Sequence, residues 1–196
     1  MLGEIKDAEA NLQALLGAEA GQLSVGLVST AKYFMPRLLA QFSQAHPGIE
    51  VQFSVGNRES LLQKLQDNAI DLAVMGRIPV EIDAHAEPMA SHPYVLIGPS
   101  DHPLRDARRF DLHELRHETF LLREEGSGSR RVAEEMFKNH LFTPAKTISM
   151  GSNETIKQAV MAGMGIALIS LHTLPLELKT PHNAFNQVKP HPNERT

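Results

Sequence analysis

"LSVGLVSTAKYFMPRLLAQFSQAHPGIEVQFSV", residues 23–55, holds a strand, a helix and a second strand in one uninterrupted run. "LSVGLVS" is a short apolar stretch of strand length. After it Phe34, Leu38, Leu39 and Phe42 recur at helical spacing, which gives them a common face. Pro36 falls in the early turns of that helix, where its missing donor does least damage. "HPGIEVQFSV" (46–55) ends the helix and begins the second strand. Strand–helix–strand order of this regularity implies a parallel sheet with right-handed crossovers.

The same alternation continues outward. "NRESLLQKLQDN" (57–68) is helical with Leu61, Leu62 and Leu65 inward, and "DLAVMG" (71–76) is a third strand. Residues 77–93, "RIPVEIDAHAEPMASHP", show no period and carry three prolines, so they read as a crossing between two lobes. "YVLIGPS" (94–100) resumes with a strand, "DHPLRDARRF" (101–110) is a polar loop, and "DLHELRH" (111–117) has the spacing of a two-turn helix. The strands "TFLLR" (119–123), "TISMG" (147–151) and "GIALIS" (165–170) then alternate with the helices "SGSRRVAEEMFKNHL" (127–141) and "NETIKQAVMAG" (153–163). The expected plan is a first lobe over residues 21–77, a crossover over 78–93 and a second lobe over 94–178.

The two ends differ from this pattern. In residues 1–20, Ile5, Ala8, Leu12, Leu15 and Leu16 form one narrow apolar stripe. It suits a helix packed on its own domain, or the end of a coiled-coil helix that pairs with a second subunit; too few heptads are present to choose. Residues 179–196, "KTPHNAFNQVKPHPNERT", have no usable period and read as a disordered tail.

Composition narrows the function. The chain has 196 residues, 42% hydrophobic and 21% charged, as in an ordinary globular protein. A net charge of -4 supplies no overall basic field for nucleic acid, and the absence of cysteine excludes disulfides and thiolate metal sites. The opening residues lack the apolar core of a signal peptide, and no apolar run is long enough to cross a bilayer. A cytoplasmic protein without membrane contact is expected.

"HELRH" (113–117) resembles a zinc-peptidase motif, with Glu114 placed to activate a metal-bound water. A third ligand is needed. Phe120 stands where one zincin layout requires glycine, and Glu134 and Glu135 follow too soon to fold back as the acidic ligand of the other. The expectation is therefore a solvated helix and no metal.

Polar residues gather instead in the loops that follow the strands' carboxyl ends, where α/β sheets bind ligands. They are Ser29 and Thr30 after the first strand, Asn57 after the second, "GSGS" (126–129, with Ser127, Gly128 and Ser129), and Ser152 and Asn153. Each alone is adequately explained as a helix cap. In corresponding positions of two lobes they suggest a shared pocket whose helix amino ends favour an anion. Lys32 and Arg58 in first turns, Arg77 at the crossing and Arg130 beside the glycines add cations suited to phosphate or carboxylate, although surface exposure is the commoner role of such residues. "GSGSR" is neither a P-loop nor a dinucleotide fingerprint. Ser127 and Ser129 have no histidine at a distance that would make a nucleophile, and no carboxylates are paired for acid–base work, so binding rather than catalysis is expected.

Three stretches, "GQLSVGLVSTAKYFMPRLLAQFSQAHPGIEVQFSVGNRESLLQKLQDNAIDLAVMGRIP", "REEGSGSR" and "SNETIKQAVMAGMGIALISLHTL", resemble the effector-binding domain of LysR-type transcriptional regulators, nearest to regulators of carbon-fixation (RuBisCO) operons. The likeness runs from about Leu2 to Leu178. It implies an α/β fold of two Rossmann-like subdomains, like type II periplasmic binding proteins, preceded by the remnant of a linker helix that dimerises. It also implies a sensor of phosphorylated Calvin-cycle intermediates or NADPH, with Ser29, Thr30, Asn57, Arg77, Ser127, Ser129, Arg130 and Asn153 in the pocket between the lobes. No resident cofactor is implied. The expected effector is a small anionic metabolite such as a sugar phosphate, phosphoenolpyruvate or NADPH, and the expected assembly is a homodimer or tetramer.

Two departures bear on these expectations. The family's amino-terminal winged helix-turn-helix does not occur in this sequence, so the chain by itself should not bind an operator. After "LPLELKT" (174–180) the family's return strand and helix of the first lobe are not recognisable, which suggests an incomplete edge there or one borrowed from a neighbouring subunit. Two other classes fit less well: a solute-binding protein for small anions, and a phosphate-handling enzyme.

Overall fold

A computed structural model of the chain describes residues 20–80, 82–105, 107, 109–174 and 187–188. The chain divides into two units, with the boundary between Ala86 and Glu87. The expected helix within residues 1–20 and most of the 179–196 tail lie outside the described residues.

In the first unit, β1 (Gly21–Val28) lies between β2 (Ile49–Gly56) and β3 (Leu72–Val74), and both neighbours run parallel to it. A short 3-10 turn, Ala31–Tyr33, leads into α1 (Met35–Ala45), and α2 (Arg58–Gln66) joins β2 to β3. Pro36 sits in the first turn of α1, as its missing N–H requires. Val25, Leu27, Ala31 and Met35 form the buried core, with Phe34, Leu39 and Val74 packed on it. Leu38, expected on the buried face, is 42% exposed. The helix buries a narrower stripe than its spacing suggests, because Met35 takes the inward position.

Gly26 is needed at the middle of β1. A Cβ there would lie 2.5 Å from Ile70 Cδ1 and 2.8 Å from Leu61 Cδ2, so the missing side chain makes room for the α2 layer.

The second unit contains β4 (Tyr94–Ile97), β5 (Arg109–Phe110), β6 (Thr119–Arg123), α3 (Gly128–Asn139), β7 (Lys146–Met150), α4 (Asn153–Met161), β8 (Ala167–Ser170) and β9 (Gln187–Val188). β6 and β7 are parallel, Phe120 bridges to Ile166 at the entrance to β8, and β8 pairs antiparallel with β4. This antiparallel pair departs from an all-parallel sheet. β4 and β8 are not the two arms of one crossover, since β5 to β7 intervene, so the crossover rule does not fix their direction. Within the tail segment, Gln187–Val188 pair parallel with β5.

β6 is buried on both faces, which explains its continuous apolar run. Phe120 and Leu122 pack with Phe110, Phe137 and Phe142, whereas Leu121 packs with Ile156, Val160 and Ile169. Alternate side chains thus hold α3 on one face of the strand and α4 on the other.

The segment around "HELRH" is not a two-turn helix. It is a single 3-10 turn, Leu112–Leu115, anchored by fully buried Leu112 and Leu115. Asp111 begins it: the His113 N–H donates to Asp111 Oδ1 at 2.9 Å, and the Asp111 N–H donates to Glu114 Oε1 at 2.8 Å. This reciprocal capping box satisfies the free donors where the turn begins, and β6 already starts at Thr119, four residues after the turn ends. The spacing that would place His113 and His117 on one α-helical face therefore does not arise.

Candidate functional site

The loop residues of the first unit have distinct roles. Thr30 is 4% exposed at the turn after β1, and its side chain makes no capping bond. Ser29 precedes it, half-buried. Lys32 lies in the 3-10 turn, with Nζ 5.4 Å from the centroid of the Tyr33 ring. Asn57 is the helix cap its position suggested: the Ser60 N–H donates to its Oδ1 at 2.9 Å. Arg58 Nη1 donates to the Arg77 carbonyl at 3.1 Å and lies 3.5 Å from Met75 Sδ, which ties the start of α2 to the chain leaving β3. Arg77 itself is exposed.

The second unit contains a denser cluster. Ser127 precedes α3 without a capping bond from its side chain, Gly128 opens the helix, and Ser127 and Ser129 are each 6% exposed. Ser152, rather than Asn153, caps α4: the Thr155 N–H donates to Ser152 Oγ at 3.0 Å. Asn153, expected among the residues able to cap this helix, is its first residue and does something else. Its Oδ1 accepts from Arg123 Nη1 at 3.1 Å, and its Nδ2 is buried with no hydrogen-bond partner. Rotating the amide by a half-turn would set a donor against the guanidinium, so Arg123 fixes which end of Asn153 is left over.

Sequence reasoning missed Arg123, the last residue of β6 and only 5% exposed. It donates from Nε to Glu124 Oε2 at 2.7 Å and from Nη2 to Glu124 Oε1 at 2.8 Å. This two-pronged pair meets the demand of a buried cation for a counter-charge. The missed signal was available: an arginine ending an apolar strand stands where α/β folds place ligand contacts. In the sequence it reads only as the end of the strand "TFLLR", without a role.

Arg130 also differs from a cation awaiting a ligand. Its Nε donates to Glu134 Oε1 at 2.8 Å, Glu125 Oε1 lies 3.9 Å from Nη2, and Nη1 donates to the Arg123 carbonyl at 3.3 Å. In this cluster the carboxylates of Glu124, Glu125 and Glu134 face the guanidiniums of Arg123 and Arg130, so the loop ends are not net cationic in the fold as it stands. What this cluster can offer an anion is the amino ends of α3 and α4, the Asn153 amide, and guanidiniums whose present partners include carboxylates.

Among the described residues, no group of three or more His, Asp or Glu is arranged to hold a metal ion, and no helix is long and apolar enough to cross a membrane.

An α/β chain of two units leaves function open at the level of fold, and similarity to known proteins gives it a family. Residues 16–193 match the LysR substrate binding domain, and the chain belongs to that family. It is 63% identical over 195 residues to the HTH-type transcriptional regulator CfxR of Cupriavidus necator, covering 100% of this chain and 62% of that protein. To CbbR of Rhodospirillum rubrum it is 47% identical, covering 100% of this chain and 64% of the relative. The chain therefore spans less than two thirds of the length of these relatives, which are named as transcriptional regulators. Among solved structures it resembles the regulatory domain of Synechocystis CcmR in complex with 2-PG, with a TM-score of 0.81 and 38% identity over 86% of this chain and 81% of that one. The two-subdomain α/β fold expected from the sequence is thus the fold of the family.

Proposed function

We propose that this chain is the effector-sensing part of a LysR-type regulator of carbon-fixation genes, and that it binds a small phosphorylated anion without transforming it. One observation carries the reading. Asn153, at the amino end of α4, leaves capping to Ser152, holds buried Arg123, and keeps a buried amide donor without a protein partner. A residue needed only to start a helix would be arranged like Asn57. The complex of the CcmR regulatory domain with 2-PG supports a phosphorylated ligand class.

In this reading, binding groups come from Ser29, Thr30, Lys32, Asn57, Arg58 and Arg77 in the first unit. Ser127, Gly128, Ser129, Arg130 and Asn153 serve in the second, with Arg123 added to them. The regulator works in the cytoplasm as a homodimer or tetramer and meets DNA through the portion of its relatives' length that this chain does not span. It is not an enzyme.

Calorimetry with sugar phosphates, phosphoenolpyruvate, 2-phosphoglycolate and NADPH tests the proposal. Saturable binding of at least one phosphorylated compound, without turnover, is expected. Silence from all of them, or release of inorganic phosphate by the pure protein, overturns it.

A further inference from the structure

We propose that Glu124 is a resident competitor for the effector: its carboxylate occupies the guanidinium edge of Arg123, and a dianionic phosphoryl group must displace it to bind. The inference rests on the proposed effector site and concerns how that site selects its ligand.

Three observations support it. The Nε and Nη2 donors of Arg123 are engaged side by side by the two oxygens of Glu124, at 2.7 and 2.8 Å. That paired edge is one of the two with which a guanidinium receives phosphate. Second, the partners differ in freedom. The Arg123 side chain is 5% exposed and held from its other side by Asn153, whereas the Glu124 side chain is 32% exposed. Glu124 can swing into water without burying anything; Arg123 cannot leave. Third, Asn153 Nδ2 is a buried donor with no protein partner, next to the same guanidinium. An incoming group with several acceptor oxygens would satisfy both the vacated edge and this amide. The carboxylate of Glu124 satisfies only the first.

Glu124 is the first residue beyond β6, and its backbone is anchored there, its N–H donating to the Met150 carbonyl at 3.0 Å, so that its side chain can leave Arg123 without moving the strand.

Displacement sets a threshold. A monocarboxylate offers Arg123 what Glu124 already supplies, without the advantage of being attached. A phosphate monoester carries about -1.5 to -2 charge near neutral pH and three acceptor oxygens, so it gains from the exchange. Glu124 would thus exclude abundant monoanions rather than strengthen binding.

The test is calorimetry on the whole chain, wild type and Glu124→Gln, with 2-phosphoglycolate and with glycolate as its dephosphorylated counterpart. The substitution keeps the shape of the side chain and removes its charge. The variant should bind 2-phosphoglycolate roughly tenfold more tightly and should bind glycolate measurably, which narrows the ratio between the two. Unchanged or weaker binding of 2-phosphoglycolate by the variant, with the wild type binding it, would show that Glu124 only positions Arg123; the effector reading would survive. If neither protein binds any phosphorylated compound, both ideas fall together. Should the variant lose stability, the rise in Tm on adding inorganic phosphate serves as the readout. A larger rise than in the wild type supports displacement, and an equal or smaller one overturns it.

Discussion

The imidazoles of His92 and His172 lie 5.6 Å apart, centroid to centroid, one just before β4 and the other just after β8. His92 also packs on the Tyr94 ring at 4.8 Å, and His172 Nε2 lies 2.8 Å from the Ser91 carbonyl. Burial, and secondarily the neighbouring His172, lower the pKa of His92 below its ordinary 6.5. The unfolded chain then binds more protons than the native one between that value and the lowered one. Stability from this site is present above about pH 6.5 and is lost as the pH falls through the lowered value. Urea denaturation of wild type and His92→Asn at a series of pH values should show a shallower acid decline in the variant. Parallel declines would mean that His92 does not contribute to the acid limb.

Gly165 is the residue that lets β8 dock on β6. Its φ is 152°, and a Cβ would come 2.2 Å from the Thr119 carbonyl oxygen, which also accepts from the Ile166 N–H at 2.9 Å. Alanine would have to break that bond or shift the strand that carries Phe120 and Arg123. Gly165→Ala should cost roughly 3 kcal/mol or more in denaturant unfolding, because backbone strain and a lost bridge act together. Gly163 has nothing within 4 Å of its added Cβ, so only its φ of 77° penalises alanine there. Its substitution should cost less, about 1 kcal/mol.

The parallel first unit and the helix–strand alternation of the second were legible because they rest on periodicity, and periodicity reports burial directly. Two things were hidden. The 3-10 turn at Leu112–Leu115 carries helical spacing over two turns, but β6 begins at Thr119, and spacing does not reveal where the helix must give way to the strand. Arg123 was legible as the end of the strand "TFLLR" but not as a buried cation, because the strand's spacing carries no sign of its bonds to Glu124 and Asn153. Ser152 and Asn153 were both visible, but which one caps depends on where Arg123 reaches. Pair contacts across 30 positions of chain leave no trace in local pattern.

Ser152 and Asn153 should separate stability from binding. Ser152→Ala removes the acceptor of the Thr155 N–H and should cost about 1 kcal/mol of stability with little change in anion affinity. Asn153→Asp keeps an acceptor for Arg123 Nη1 while replacing the amide donor by negative charge. It should leave the fold intact and weaken a phosphorylated ligand at least tenfold, on the order of 1.5–3 kcal/mol for a lost bond to a charged group. Paired calorimetry and thermal denaturation check both. Equal ligand affinity in Asn153→Asp would remove Asn153 from the site.

The same logic applies to "HELRH". Glu114 accepts the Asp111 N–H, and the Arg116 Nε donates to His117 Nε2 at 3.0 Å, so the motif's groups serve local bonding. Adding zinc should leave the Tm and any peptidase readout unchanged. Glu114→Ala should lower stability by roughly 0.5–1 kcal/mol, the scale of a helix-cap bond at an exposed turn. Leu115→Ala, at a fully buried position of the same turn, should cost about 2–5 kcal/mol. A zinc-dependent rise in Tm that disappears in His113→Ala would reverse this assignment and make the motif a metal site.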